Sequence, residues 1–283
     1  MRLLRIGAAG AEKPAVRFDD EHVYDLSGLT PDIGGSFLAS GGVERVRAAH
    51  AEGRLPLLDA EGQRIGAPIA RPGKIVCIGL NYRDHAKETG AAIPQRPIVF
   101  MKASYTMVGP DDDVLIPRGS AKTDWEVELG VVIGRTARYL DSPAESLDHV
   151  AGYAVSHDVS EREFQLELTP QWDLGKSCET FNPFGPWLVT ADEVGDPGAL
   201  GLRLWVNGEP RQNGSTADLI FDVPHLIWYL SRHMVLEPGD VINTGTPAGV
   251  ALGLPGNPYL RPGDAVRLEI DGLGAQHQHL RQA

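Results

Sequence analysis

Residues 124–128, Asp-Trp-Glu-Val-Glu, place two carboxylates two positions apart at the head of an apolar run that continues as Leu129-Gly130-Val131-Val132-Ile133. A run this rich in β-branched residues reads as a buried strand over Glu126–Ile133. Side chains at i and i+2 of a strand leave the same face, so Glu126 and Glu128 point the same way. Two ionised carboxylates side by side on a mostly apolar strand repel each other and lose hydration, which is costly unless a cation or strong donors compensate. An alternating strand with a wet outer face would also account for a bare Glu-x-Glu. Asp158, just past a second apolar run at Val150–Val155, supplies a third carboxylate at a strand end and tips the reading towards a cage for a hard divalent cation, which takes oxygen ligands.

The chain of 283 residues is long enough for one large domain, or a main domain with a small one, around a substantial core. Its 38 acidic and 26 basic residues give a formal charge of −12, which argues against a nucleic-acid or anionic-membrane surface. An acidic protein that handles an anionic substrate then needs a local positive site, from a metal or from a few Lys and Arg. Two isolated cysteines, Cys77 and Cys178, suit free thiols in a reducing cytoplasm and make neither a disulfide framework nor a zinc motif. Met1–Gly7 lacks the continuous apolar core of a signal peptide, and no run approaches membrane-spanning length. The expectation is a soluble cytoplasmic protein.

Organisation changes near residue 70. Residues 1–70 carry short strand candidates (Leu3–Ile6, Ala15–Phe18, His22–Leu26) and a helical stretch at Gly42–Ala51, and read as a small accessory lobe without catalytic spacing. Residues 71–283 form the main domain, rich in strand signals. These fall at Lys74–Ile78, Ile98–Met101, Val114–Ile116, Ala151–His157, Trp187–Thr190, Leu202–Val206, Val241–Thr244 and Ala265–Ile270. Helical periodicity is confined chiefly to Val223–Met234 and a short stretch after Asn81. Strands and helices do not alternate regularly, so the pattern predicts a β-rich α+β fold with a few covering helices.

Four further segments carry candidate chemistry. In Gly79-Leu80-Asn81-Tyr82-Arg83-Asp84-His85-Ala86-Lys87-Glu88 the chain leaves a strand and enters a short helix that Asn81 or Asp84 can cap. His85 and Glu88 are then i and i+3 on one helical face, where the carboxylate orients the imidazole and raises its basicity, as a water-activating base requires. Arg162 and Gln165 follow Asp158 closely enough for a turn or helix to return them to the same pocket. Lys176 lies eighteen residues past Asp158. Asn243–Val250 is a Gly-rich turn able to present backbone N–H groups and hydroxyls to an oxyanion, although it matches neither a P-loop nor a dinucleotide fingerprint. Taken singly, each segment is equally consistent with a solvated surface.

Together and in order, Gly79-Leu80-Asn81-Tyr82 with His85-Ala86-Lys87-Glu88, Glu126-Val127-Glu128-Leu129-Gly130, Asp158 with Ser160-Glu161-Arg162, Gly175-Lys176-Ser177, and Thr244–Val250 resemble the fumarylacetoacetate hydrolase superfamily over about residues 70–275. With its N-terminal lobe and the closing Asp271–Gln276, the full chain looks most like bacterial 2,4-diketo-3-deoxy-L-fuconate or -rhamnonate hydrolases, whose relatives often carry the label ureidoglycolate lyase. The resemblance implies a mixed β-sandwich roll, a homodimer, and Mg²⁺ or Mn²⁺ held by Glu126, Glu128 and Asp158. It makes His85 and Glu88 the water-activating dyad, joined by Lys176 in catalysis, with Arg162, Gln165 and Thr246 around a small anionic keto-acid substrate. The implied activity is hydrolysis of a carbon–carbon bond in a 2,4-diketo acid. Oxaloacetate decarboxylation, isomerisation of a hydroxyheptadienedioate and hydration of a 2-oxo-pentenoate are alternatives on the same enolate chemistry, and a non-catalytic metal-binding protein is a further one. Leu80 departs from the pattern, because many acylpyruvases carry a basic residue there.

Overall fold

The computed structural model describes residues 1–283. Its backbone is built around two sheets. In the larger one the strand order runs Tyr24–Asp25, Lys13–Arg17, Arg2–Ile6, Asn182–Thr190, Val150–His157, Val127–Ile133, Val241–Asn243, Ile75–Gly79, Ile98–Lys102. Neighbours along this path are antiparallel except Val241–Asn243 with Ile75–Gly79. The smaller sheet orders Glu209–Ser215, Gly201–Val206, Ala265–Ile270, Gly274–Gln282 and Val114–Ile116. The architecture is thus mixed α+β and strand-rich, as the uneven alternation of sequence signals predicts.

The acidic strand lies at the heart of the larger sheet. Val127–Ile133 pairs with Val150–His157, with Glu128 opposite Ser156, and with Val241–Asn243, with Gly130 opposite Asn243. Its period-two alternation divides two cores. Val127, Leu129, Val131 and Ile133 join Leu202, Leu204, Val266 and Leu268 of the smaller sheet in one apolar cluster. Val132, on the other face, joins Cys77, Phe100, Ala154 and Phe184 in a second. Glu128 shares the face of Val132, so its carboxylate stands at the end of the second core. Gly130 has a packing reason on that face: a Cβ there would come within 2.3 Å of the Phe184 ring.

Residues 1–70 extend the same sheet. Arg2 and Leu3 pair with Val189 and Leu188, and Met1, Leu3, Val16, Leu26, Ile33 and Phe37 belong to the cluster that contains Ile75 and Cys77. The helix Gly42–Ala51 and the strand Ala265–Ile270 have the expected bounds. Other boundaries differ: the N-terminal strands are Lys13–Arg17 and Tyr24–Asp25, and the helix from Val223 ends at Ser231. The acidic strand begins at Val127, leaving Glu126 as the residue immediately before it.

Two long strands escaped the sequence reading, Glu209–Ser215 and Gly274–Gln282, as did the two-residue strands Ile65–Gly66, Met107–Val108, Thr123–Asp124 and Ser160–Glu161. The second, Gly-Ala-Gln-His-Gln-His-Leu-Arg-Gln, alternates without an apolar face because its inward residues include glutamines. Gln276 Nε2 donates to the carbonyls of Val155 (2.8 Å) and Gly185 (3.1 Å), so these buried amides are bonded into the sheet. No helix is long and apolar enough to cross a membrane.

Candidate metal centre and its cavity

Glu126, Glu128 and Asp158 converge. One carboxylate oxygen from each lies within 4.8 Å of the others, and all three residues are buried. The sheet accounts for the convergence: Asp158 directly follows the strand Val150–His157 that pairs with the acidic strand, and its backbone N–H donates to Glu126 O at 3.0 Å.

Three cations hold this cluster in the fold. Lys176 Nζ bridges Glu126 Oε2 (2.7 Å) and Asp158 Oδ2 (2.9 Å). Lys102 Nζ donates to Asp158 Oδ1 (2.5 Å) and to the Val159 carbonyl (3.0 Å). Arg162 distributes all three guanidinium nitrogens, to Asp124 (2.8 Å), Gln165 Oε1 (2.9 Å) and Glu126 Oε1 (2.7 Å). Burial alone would raise the Glu126 carboxyl, but Lys176 and Arg162 outweigh it and hold it at about 2. Burial likewise works against the Lys176 ammonium, yet Asp158 and Glu126 keep its pKa above the ordinary lysine range.

Glu128 is the exception. Its hydrogen-bond partner is the Gly245 N–H at 2.8 Å, and it makes no ion pair, so Lys176, bonded to Glu126 and Asp158, offsets its charge only in part. Burial first, and then the charges of Asp158 and Glu126, push its carboxyl well above the usual carboxylate range. Asp124, Glu126, Glu128 and Asp158 oppose Lys102, Lys176 and Arg162, so the fully ionised cluster carries one unbalanced negative charge. An oxygen-only donor set with one uncompensated carboxylate fits a hard divalent cation.

The helix Arg83–Thr89 brings the fourth and fifth predicted residues to the same place. His85 Nδ1 lies 3.2 Å from Glu88 Oε2, and the other Glu88 oxygen accepts the Gly249 N–H at 2.9 Å. The expected capping differs. Asp218 Oδ2 accepts the Asp84 N–H at 2.9 Å, in the role expected of Asn81 or Asp84. Asn81 instead reaches away from the helix, donating to the Thr244 and Phe221 carbonyls (2.7 and 3.0 Å), which ties the strand exit to the Gly-rich turn. That turn gives two of its N–H groups, from Gly245 and Gly249, to Glu128 and Glu88. Its placement of carboxylates was not expected from the sequence.

A cavity of about 200 Å³ opens over the cluster, and His85, Glu126, Glu128, Arg162, Gln165, Lys176 and Thr246 all line it. Thr246 Oγ1 donates to the Val127 carbonyl (2.9 Å) and accepts from Gln212 (2.8 Å). Asp158 stands behind the wall. Sequence reasoning missed Lys102 and Asp124. Lys102 ends the strand Ile98–Lys102 with its ammonium buried, a position where a lysine needs a partner, so its strand placement was the available signal. Asp124 accepts the N–H groups of Ala251 (2.7 Å) and Leu252 (3.0 Å) besides Arg162, and lies in the very pentapeptide that drew attention to the site.

The C-terminal fumarylacetoacetate (FAA) hydrolase family model matches residues 74–281. The chain belongs to the fumarylacetoacetate hydrolase family. It is 51% identical over 284 residues to a protein of Burkholderia lata named as a hydrolase, covering 100% of both chains. Among solved structures, an HpcE-type protein of Mycobacterium smegmatis superposes with a TM-score of 0.88 at 38% identity, with 100% of each chain covered. The maleylpyruvate hydrolase of Sphingobium sp. SYK-6, solved with manganese(II) and pyruvate, gives 0.82 at 29%, again over 100% of both chains. The acidic triad and that manganese complex together support a divalent metal for this family member.

Proposed function

We propose that this protein hydrolyses the C3–C4 bond of a 2,4-diketo acid, 2,4-diketo-3-deoxy-L-fuconate or its rhamnonate-derived counterpart, to pyruvate and lactate. The observation that carries the reading is that Glu126, Glu128, His85 and Lys176 line one cavity, with Asp158 bonded to Lys176 and Glu88 to His85 directly behind that wall. Glu126, Glu128 and Asp158 would hold Mg²⁺ or Mn²⁺. Bound there, the ion supplies a Lewis acid for the 2-oxo acid end of the substrate.

The remaining steps belong to the chain's own side chains. The Glu88 carboxylate, fixed by the Gly249 N–H, holds the His85 ring through Nδ1 and leaves Nε2 to take a proton from water. The water oxygen bonds to C4, the C3–C4 bond breaks, and its electron pair leaves with pyruvate as the enolate. Lys176 offers its ammonium to that developing negative charge, and protonation at C3 completes pyruvate. Arg162, Gln165 and Thr246 fix the substrate in the cavity. Decarboxylation of oxaloacetate has no use for a water-activating pair, so His85 with Glu88 is what favours hydrolysis. Residues 1–70 contribute no cavity wall and act as an accessory lobe to the catalytic domain.

The test is turnover by protein stripped of metal and reloaded with Mg²⁺ or Mn²⁺, following both products. Lactate and pyruvate in equal amounts support the hydrolase. Rapid CO₂ release from oxaloacetate with no cleavage of any diketo acid rules it out.

A further inference from the structure

The cavity has two chemically different ends. At the cluster end stand the carboxylates, Arg162 and Lys176, and no other Lys or Arg lines the cavity. Both cations are held at that end by the carboxylates. All three guanidinium nitrogens of Arg162 have partners, and Lys176 is shared between Glu126 and Asp158. The rest of the wall is largely apolar, with Leu80, Phe100, Leu166, Trp172 and Leu252 prominent. Phe100 and Trp172 meet edge to face, with centroids 5.4 Å apart, and the Phe100 ring lies 5.0 Å from Lys176 Nζ, marking where the charged end passes into the apolar wall.

Trp172 is seated with some specificity. A Cβ at Gly79 would come within 2.5 Å of its ring, so the absence of a side chain at that strand exit makes room for the indole. Leu80, next in sequence, presents an alkyl group to the cavity and carries no charge.

Beyond a divalent cation at the cluster, the cavity wall offers no Lys or Arg to a second anionic group. A second carboxylate on the tail would lie against apolar side chains, losing hydration with no cation to offset the loss.

We propose that the substrate carries a single carboxylate, bound at the cluster end, and that the remainder of the molecule is a neutral acyl tail lying against Leu80, Phe100, Leu166 and Trp172. The proposal rests on the 2-oxo acid reading of the site and separates a monocarboxylate with a neutral tail from the dicarboxylic alternatives.

Two ligand pairs test it, each exchanging a terminal isopropyl group for an isosteric carboxylate. Binding is read by calorimetry on the Mn²⁺-loaded protein with 6-methyl-2-oxoheptanoate against 2-oxoadipate, neither of which has a 4-oxo group to hydrolyse. Turnover is read with 4-methylpentanoylpyruvate against succinylpyruvate. The expected result is a preference of at least ~10-fold for the neutral member in both, the factor equivalent to ~1.4 kcal/mol. Leu166→Arg, placed on the partly exposed rim, should narrow or reverse that preference, and an unchanged preference would remove this wall from the tail site. If the neutral acid binds more tightly while no diketo acid is cleaved, the hydrolase reading fails and the tail inference stands. If diketo acids are cleaved with the dicarboxylic member equal or better, the tail inference fails alone. Failure of 6-methyl-2-oxoheptanoate to bind also overturns it.

Discussion

Glu128 is where the physical chemistry of the site is most exposed to measurement. Glu126 and Asp158 are each held by buried ammonium or guanidinium groups, whereas Glu128 has only a backbone N–H. Its raised pKa means that, without metal, the folded protein holds the Glu128 proton more tightly than the unfolded chain does. The corresponding contribution to stability is present below the ordinary carboxylate value of ~4.3 and is lost as pH rises through the raised folded value. Glu128→Gln keeps the shape and removes the titration, so the metal-free variant should match or exceed the wild type in thermal stability towards neutral pH and lose the stabilisation by Mn²⁺. Divalent-cation binding to the wild type should also release a proton. Calorimetry in two buffers of different ionisation enthalpy checks this, and a heat independent of buffer would show that Glu128 is already ionised. His85→Ala separates binding from chemistry: the metal should remain while turnover falls by ~10²–10⁴, the usual contribution of a general base. Retained turnover would take His85 out of the mechanism.

At the scale of elements, the site depends on how a short turn meets a short helix. The 3₁₀ turn Ala251–Gly253 packs against the helix Arg83–Thr89, and a Cβ on Gly253 would come within 2.4 Å of the Glu88 carboxyl carbon. Gly253→Ala therefore displaces Glu88 and frees the His85 ring without touching a carboxylate of the cluster. We expect a loss of turnover approaching that of His85→Ala with metal affinity unchanged, and wild-type turnover in this variant would show that Glu88 does not position the base. Nothing in the sequence marked this glycine, because its importance lies in a contact across 165 positions of chain. The acidic strand, by contrast, was legible: its β-branched run and i, i+2 glutamates are local patterns. So was the adjacency of His85 and Glu88, which needs one helical turn. Lys102 was legible only as a lysine closing a strand and in need of a partner, which appears only when the sheet brings Asp158 to it. The strand Gly274–Gln282 was hidden for a related reason, its inward face being glutamine amides satisfied by distant carbonyls.

At the scale of the molecule, the question is how residues 1–70 relate to the rest. The change of organisation near residue 70 suggests an accessory lobe, and none of these residues lines the cavity. Yet the first strand is hydrogen-bonded to Asn182–Thr190, and that strand pairs in turn with Val150–His157, whose end presents Asp158. Leu3, Ile33, Phe37 and Ile69 also complete the cluster that holds Cys77, Phe100 and Val132. Burying an aliphatic or aromatic side chain contributes ~1.5–3 kcal/mol, while whole domains are stable by only ~5–15 kcal/mol. Removing residues 1–70 therefore uncovers more apolar surface than the remaining fold can tolerate, and leaves Asn182–Thr190 with an unpaired edge open to aggregation. A chain starting at residue 71 should be aggregated or markedly destabilised, as read by size-exclusion chromatography and thermal melting, even though every proposed site residue is retained. Should the truncated chain instead melt cooperatively near the wild-type temperature and bind Mn²⁺ normally, the lobe would be an independent annex, and the apolar continuity across the boundary would not be what holds Asp158 in place.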